Sequence, residues 1–145
     1  MPATMVEDGE FKGWMNWPDD PFEGAAAGPF YFKVDEQGAR CAFRAEPKHM
    51  NGGGFMHGGC LMTFADFALF AIAHEELGSD HSVTVTLTSE FLDSAVVGEM
   101  VEARGDVLRA GRSMIFVRGL VTAEGRPVLN FSGTIKRVGK RPESH

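Results

Sequence analysis

The chain has 145 residues, 43% of them hydrophobic and 23% charged, with a formal net charge of -6. That length suits one domain with a proper core, and that charge argues against a general nucleic-acid or membrane-surface role. Two cysteines, Cys41 and Cys60, are too few for a disulfide framework and read as reduced thiols of a cytoplasmic protein. Glu7, Asp8 and Glu10 stand where a signal peptide would need an apolar core, and Asp66 and His74 interrupt the most apolar window, so neither a leader nor a membrane span is expected.

Residues 1–28 form an irregular N-terminal arm. Its stretch WMNWPDDPFEGAAAGPF holds three prolines and two tryptophans, and a packed terminal arm is favoured over a gate above a pocket. The hairpin FYFKVDEQGARCAFRAE follows, two strand-like runs around a turn at Gln37–Gly38, the second ended by Pro47. Next comes NGGGFMHGGCLMTFADFALFAIAHEEL, a glycine-rich loop leading into a helix that ends near Gly78. SVTVTLTSEFLDSA alternates, with Val83, Val85, Leu87 and Phe91 on one face and Thr84, Thr86 and Thr88 on the other, the pattern of a half-buried strand. Three more strands follow, separated by short turns at Ala110–Gly111 and Glu124–Gly125–Arg126. Residues 139–145 are a polar tail. Two strands, one long helix and four strands joined by hairpins give an α+β fold built on an antiparallel sheet of about six strands. No βαβ alternation occurs, and GGGFMHGG is not a dinucleotide-binding fingerprint.

The helix is apolar on every face from Leu61 to Ile72, apart from Thr63 and Asp66. A helix of that kind is buried all round. One sheet covers one side, and in so short a chain a second copy is the simplest cover for the other, which predicts a homodimer. Asp66 sits inside this layer. A desolvated carboxylate needs a raised pKa or specific hydrogen bonds; a structural aspartate satisfied by Thr63, one turn back, is the alternative reading. At the helix start, first-turn N–H groups lack intrahelical partners and the macrodipole adds positive charge, while Gly58 and Gly59 permit close approach. That suits a developing oxyanion. His57 and Asp66 are nine residues apart, so about 13 Å along the axis and on roughly opposite faces. They serve one reacting carbonyl only if two protomers meet.

The spacing N-x5-HGG-x5-AD (Asn51, His57, Gly58, Gly59, Ala65, Asp66), followed by VTVTLTSEFLDSA, resembles the hotdog-fold thioesterases of the phenylacetate-degradation (PaaI-like) group over roughly residues 28–138, giving a hotdog domain at 29–138. The resemblance implies an antiparallel sheet wrapped around a long helix, sites at a dimer interface, and in many members a dimer of dimers. It implies hydrolysis of acyl-coenzyme A thioesters with no metal and no cofactor beyond the coenzyme A of the substrate. It further implies Asp66 as general base or nucleophile, Gly58 N–H on the thioester oxygen, Asn51 polarising or positioning that carbonyl, His57 orienting the loop or assisting the departing thiolate, and Thr84 holding the attacking water. Gly59 joins them as a substrate contact. Arg109 and Arg112, in the RAGRS turn, are candidates for coenzyme A phosphate contact, although solvated turn charge is the plainer reading. A Cys60–His57 nucleophile pair, a hotdog hydratase and a non-catalytic acyl-thioester binder are the competing readings; histidine spacing favours no metal site.

Overall fold

The structure, a computed structural model, describes residues 2–139. The polar tail beyond Gly139 lies outside the described residues. An eight-stranded antiparallel sheet, in the order β1-β2-β3-β4-β6-β7-β8-β5, carries one long helix across it. The strands are β1 (Thr4–Met5), β2 (Met15–Asn16), β3 (Tyr31–Asp35), β4 (Gly38–Arg44), β5 (His81–Phe91), β6 (Met100–Ala110), β7 (Met114–Ala123) and β8 (Arg126–Gly139). The helix α1 runs from Gly58 to Ile72, and a short turn of helix, α2 (His74–Leu77), follows it. A sheet wrapped around a central helix is the hotdog arrangement expected from the resemblance.

The strand count differs from the expected six. β1 and β2 are two residues each, contributed by the N-terminal arm, and they extend the sheet beyond β3. Two-residue strands carry no periodic signal. The first hairpin turns at Glu36–Gln37, one residue earlier than expected, with Gly38 at φ +102° paired to Asp35.

The core lies between α1 and the sheet. Leu61, Phe64, Ala65, Ala68 and Leu69 of α1 are buried against Val101, Ile115, Val117, Phe131 and Ile135. Phe30, Phe43, Phe64 and Phe67 pack as an aromatic cluster, with Phe43 edge-on to Phe64 at 4.7 Å between centroids. Edge-to-face contacts of this kind satisfy the ring quadrupoles. The arm joins the same core. Trp17 stacks on Phe32 at 4.7 Å and meets Phe67 edge-on at 5.3 Å, while Phe11 stacks on Tyr31 at 4.2 Å.

Burial of α1 is not complete within the single chain. Gly59 is exposed, and Met62, Thr63, Asp66 and Phe70 are half-buried. At 3.6 residues per turn these positions form one stripe, turned away from the sheet. The alternation expected along β5 is also changed. A bulge at Val85, between the pairs Thr84↔Ile135 and Thr86↔Thr134, switches the facing of the strand. Before the bulge Thr84 points toward α1 and Val83 outward; after it Leu87 turns inward and Thr86 outward. Val83 and Val85 are therefore exposed instead of sharing a buried face with Leu87.

Candidate active site

The loop before α1 is shaped by Asn51. Its Oδ1 accepts hydrogen bonds from the N–H of Gly53 (2.9 Å) and of Phe55 (3.1 Å), which closes the glycine turn. The amide oxygen is thus used locally, and the Nδ2 donors of this exposed residue stay available. His57 is the N-cap of α1: its Nδ1 accepts from Gly59 N–H at 2.9 Å. That fixes the proton of a neutral ring on Nε2. The N–H groups of Cys60 and Leu61 bond to His57 O, so Gly58 N–H is the first-turn donor with no partner among the described residues. The Phe91 ring stands over Gly58, 3.2 Å from where a Cβ would sit. The Gly59 N–H, by contrast, is engaged within the cap.

Asp66 lies two turns further on, within the half-buried stripe. Thr84 Oγ1 donates to Asp66 Oδ1 at 2.6 Å, joining α1 to β5. Thr63 does not fill that role, because its hydroxyl donates to Gly59 O at 2.7 Å. Burial holds the Asp66 carboxyl above the usual carboxylate range; the Thr84 hydrogen bond offsets part of that rise, and the charge of Asp20 adds to it.

Two cavities flank this stripe, and residues of the arm wall both. The larger, about 670 Å³, is lined by Asp66, Phe70 and His74 from the helices and by Trp17, Asp20 and Glu23 from the arm. The smaller, about 490 Å³, is lined by His57, Gly59, Cys60 and Thr63 together with Phe22 and Lys48. A short π-helical turn, Pro21–Ala27, stands between them, capped by Asp20, whose Oδ1 accepts from the N–H of Phe22 (3.1 Å) and Glu23 (2.9 Å). Buried His49 anchors the end of this turn. Its Nδ1 accepts from Glu46 N–H at 2.9 Å and its Nε2 lies 2.7 Å from Ala27 O, while Lys48 donates to Gly28 O. Burial, with the charges of Asp20 and Asp66, pushes the Glu23 carboxyl up to about 7.

The sequence pattern did not mark Asp20 and Glu23 as site residues. A signal was present: Asp followed by Pro, with Glu three residues on, is a helix-start signature. Burial pushes the Cys60 thiol up to about 11, so its sulfur stays protonated at neutral pH, against a Cys60–His57 nucleophile pair. Arg109 and Arg112 are exposed at the β6–β7 turn and line neither cavity. Ala110, Ile115, Ile135 and Thr84 lie in one cross-strand row. The turn is therefore at the Thr84 end of the sheet, but three strand spacings, about 14 Å, away. Among the described residues no three His, Cys, Asp or Glu side chains are grouped to hold a metal ion, and no helix is long and apolar enough to cross a membrane.

Comparison with known proteins gives the family of the chain. Residues 53–130 match the Thioesterase superfamily model, a span that holds the helix start, Asp66 and Thr84. A Pseudomonas aeruginosa protein named as a candidate esterase is 36% identical over 108 residues, 73% of this chain and 81% of that one. Among solved structures, a variant of the phenylacetic acid degradation protein PaaI of Thermus thermophilus superposes with a TM-score of 0.69 at 29% identity, over 82% of this chain and 100% of that one. A hypothetical thioesterase of Streptococcus pneumoniae, solved with coenzyme A, superposes with a TM-score of 0.69 at 20% identity, over 79% of this chain and 92% of that one, a likeness of fold. The chain belongs to the thioesterase superfamily and is a thioester hydrolase of the hotdog, PaaI-like type.

Proposed function

We propose that this protein hydrolyses an acyl-coenzyme A thioester to a carboxylic acid and free coenzyme A, at a site built where two copies of the chain meet. The observation that carries this reading is the presence on one helix of a half-buried carboxylate, Asp66, held by Thr84, and of a helix-start N–H, that of Gly58, with no partner among the described residues. The two stand about two turns apart on one helix, so the Asp66 of one protomer acts with the Gly58 end of its partner. In a homodimer both copies of the site are complete, and a dimer of dimers leaves that arrangement intact.

The chemistry balances with these groups alone. The thioester oxygen accepts from Gly58 N–H, at the positive end of the helix dipole, and Asn51 Nδ2 steadies the same carbonyl. Asp66 takes a proton from water as the hydroxide adds to the carbonyl carbon. The tetrahedral intermediate then collapses, the C–S bond breaks, and the coenzyme A thiolate recovers the proton from the Asp66 carboxylic acid. A carboxylate raised by burial is a stronger base near neutral pH than an exposed one. His57, with its proton on Nε2, holds the cap in shape and faces the departing sulfur. Arg109 and Arg112, from either protomer, are offered to the phosphates of the nucleotide.

The test is thiol release from a panel of acyl-coenzyme A substrates, with mass measured by light scattering. Asp66→Asn keeps the shape and removes the base; kcat falls by about 10²–10⁴. Turnover within tenfold of the parent, in a folded protein of unchanged mass, refutes the role of Asp66. Binding without thiol release by the parent refutes the hydrolase reading.

A further inference from the structure

The proposed site leaves one cluster of groups unused. The cavity beside Asp66 carries Asp20, Glu23 and Asp80 as well, against two histidines, His74 and His81. Asp80 is paired to Arg137 at 3.1 Å, and Asp20 accepts backbone N–H groups, but the Glu23 carboxyl has no hydrogen bond and no ion pair among the described residues. Trp17, Phe70 and Leu77 supply apolar wall, beside the hydroxyls of Ser79 and Ser82. Glu23 is not held there by chance of an exposed loop. Its turn is capped by Asp20, and the arm on both sides of it is anchored, by Trp17 on Phe32 and by Ala27 on His49.

Charge decides which half of the substrate enters this cavity. The nucleotide of coenzyme A carries several phosphate charges, and a space faced by Glu23, Asp20 and Asp66 repels them. With the thioester carbonyl at Asp66, the acyl chain is the part that extends past Phe70 and Trp17 toward the arm. The same repulsion then acts on the far end of the acyl chain.

We infer that Glu23 is a specificity-determining residue, placed by the arm so that the site takes acyl groups with an uncharged end and rejects those ending in a carboxylate. This rests on the acyl-thioester reading above and adds to it the class of acyl group. An ionised chain end entering the cavity loses its water and meets Glu23 and Asp66, while Arg137, the arginine at this wall, is already paired to Asp80, a buried-charge penalty that an apolar end does not incur. Burial raises the Glu23 carboxyl to about 7, so its charge, and with it the repulsion, is present above neutrality, and the measurements below are made at about pH 8.5.

The experiment uses matched pairs that differ only at the chain end: hexanoyl against adipoyl, and octanoyl against suberoyl. Affinities of their non-hydrolysable coenzyme A thioethers are measured by calorimetry, and kcat/KM of the thioesters in parallel. The parent binds the uncharged member of at least one pair tighter by about tenfold or more. Glu23→Gln replaces the carboxylate by an amide that donates a hydrogen bond, and narrows that ratio by about tenfold. Asp19→Asn, the same charge change on an exposed residue of the same arm, leaves the ratio as it was. Equal binding within both pairs by the parent overturns the inference without any variant. So does a Glu23→Gln protein with an unchanged ratio, or an equal shift in Asp19→Asn. A preference in binding without any turnover sustains the role of Glu23 and defeats the hydrolase reading alone.

Discussion

Replacing Thr84 by valine probes the one hydrogen bond that joins the candidate base to the sheet. The Thr84 hydroxyl lies 2.6 Å from Asp66 Oδ1 and is partly buried. Valine keeps the volume and branching and removes the donor. Hydrogen bonds to ionised groups contribute about 1.5–3 kcal/mol. Asp66 opens on a cavity, so water replaces part of the loss and the lower end applies, about tenfold in the balance between its charged and neutral forms. The sign follows from the causes of its shift. Burial raises the Asp66 pKa and the Thr84 donor lowers it. Without the donor the carboxyl holds its proton to higher pH, and the acid limb of kcat/KM moves upward. In the assay, loss of thioester absorbance is followed from acid to mildly alkaline pH for the parent, Thr84→Val and Thr84→Ser. The valine variant loses about tenfold below the limb and recovers as pH rises, while serine stays near the parent. An equal loss at every pH, with the limb unmoved, refutes the claim that Thr84 acts through the charge state of Asp66.

Glu23 makes stability depend on pH. Its folded value of about 7 lies above its ordinary 4.5, so between these values the unfolded chain ionises while the folded chain keeps the proton. Stability is therefore lost as pH rises through that window, and Glu23→Gln removes the loss, by about 1–2 kcal/mol above neutrality after discount for solvent in the cavity, read by urea denaturation at two pH values. Gly133→Ala places a Cβ 2.5 Å from Leu69 Cδ1 and 2.9 Å from Thr86 O; overpacking of this kind costs about 1–3 kcal/mol in the same assay. Cys60→Ala keeps kcat within about threefold, because a thiol raised to about 11 is a poor nucleophile at neutral pH; a loss of a hundredfold would restore the Cys60–His57 pair.

How far the sequence discloses this molecule depends on the range over which each feature is encoded. The helix start was legible because its signal is local, glycines around His57 followed by an unbroken apolar run, whereas the loop closure by Asn51 and the cap by His57 emerge only in the fold. The hairpins were legible because turn residues and alternation are local as well. The partner of Asp66 was not. The neighbour one turn back, Thr63, is the candidate that spacing offers, yet it bonds to its own helix backbone, and Thr84 arrives from β5 only because the sheet curls over α1. The facing of β5 failed for a related reason: alternation in sequence continues through Val85, whereas the paired strand spends an extra residue there. The arm was the least legible part. Its two strands are each two residues long and exist only because β3 offers them an edge, and Glu23 reaches the cavity because distant rings hold the arm down.

The half-buried stripe of α1 and the edge strand β5 adjoin one another. β5 ends the sheet order, bonded on one side to β8 alone, and its eleven residues present an open ladder beside exposed Val83, Val85 and Phe91. An edge of that length, without proline and with no covering element among the described residues, is a liability in an isolated chain. Thr84, on the same strand, is bonded to Asp66, on the open stripe of α1. A second copy that covers the edge therefore also closes over the carboxylate, removes water from it, and raises its pKa further by the same burial that already dominates its shift. On the proposed function, assembly and basicity are then two effects of a single contact. On that same reading the half-buried base and the helix-start donor are each completed by their counterparts on the second copy.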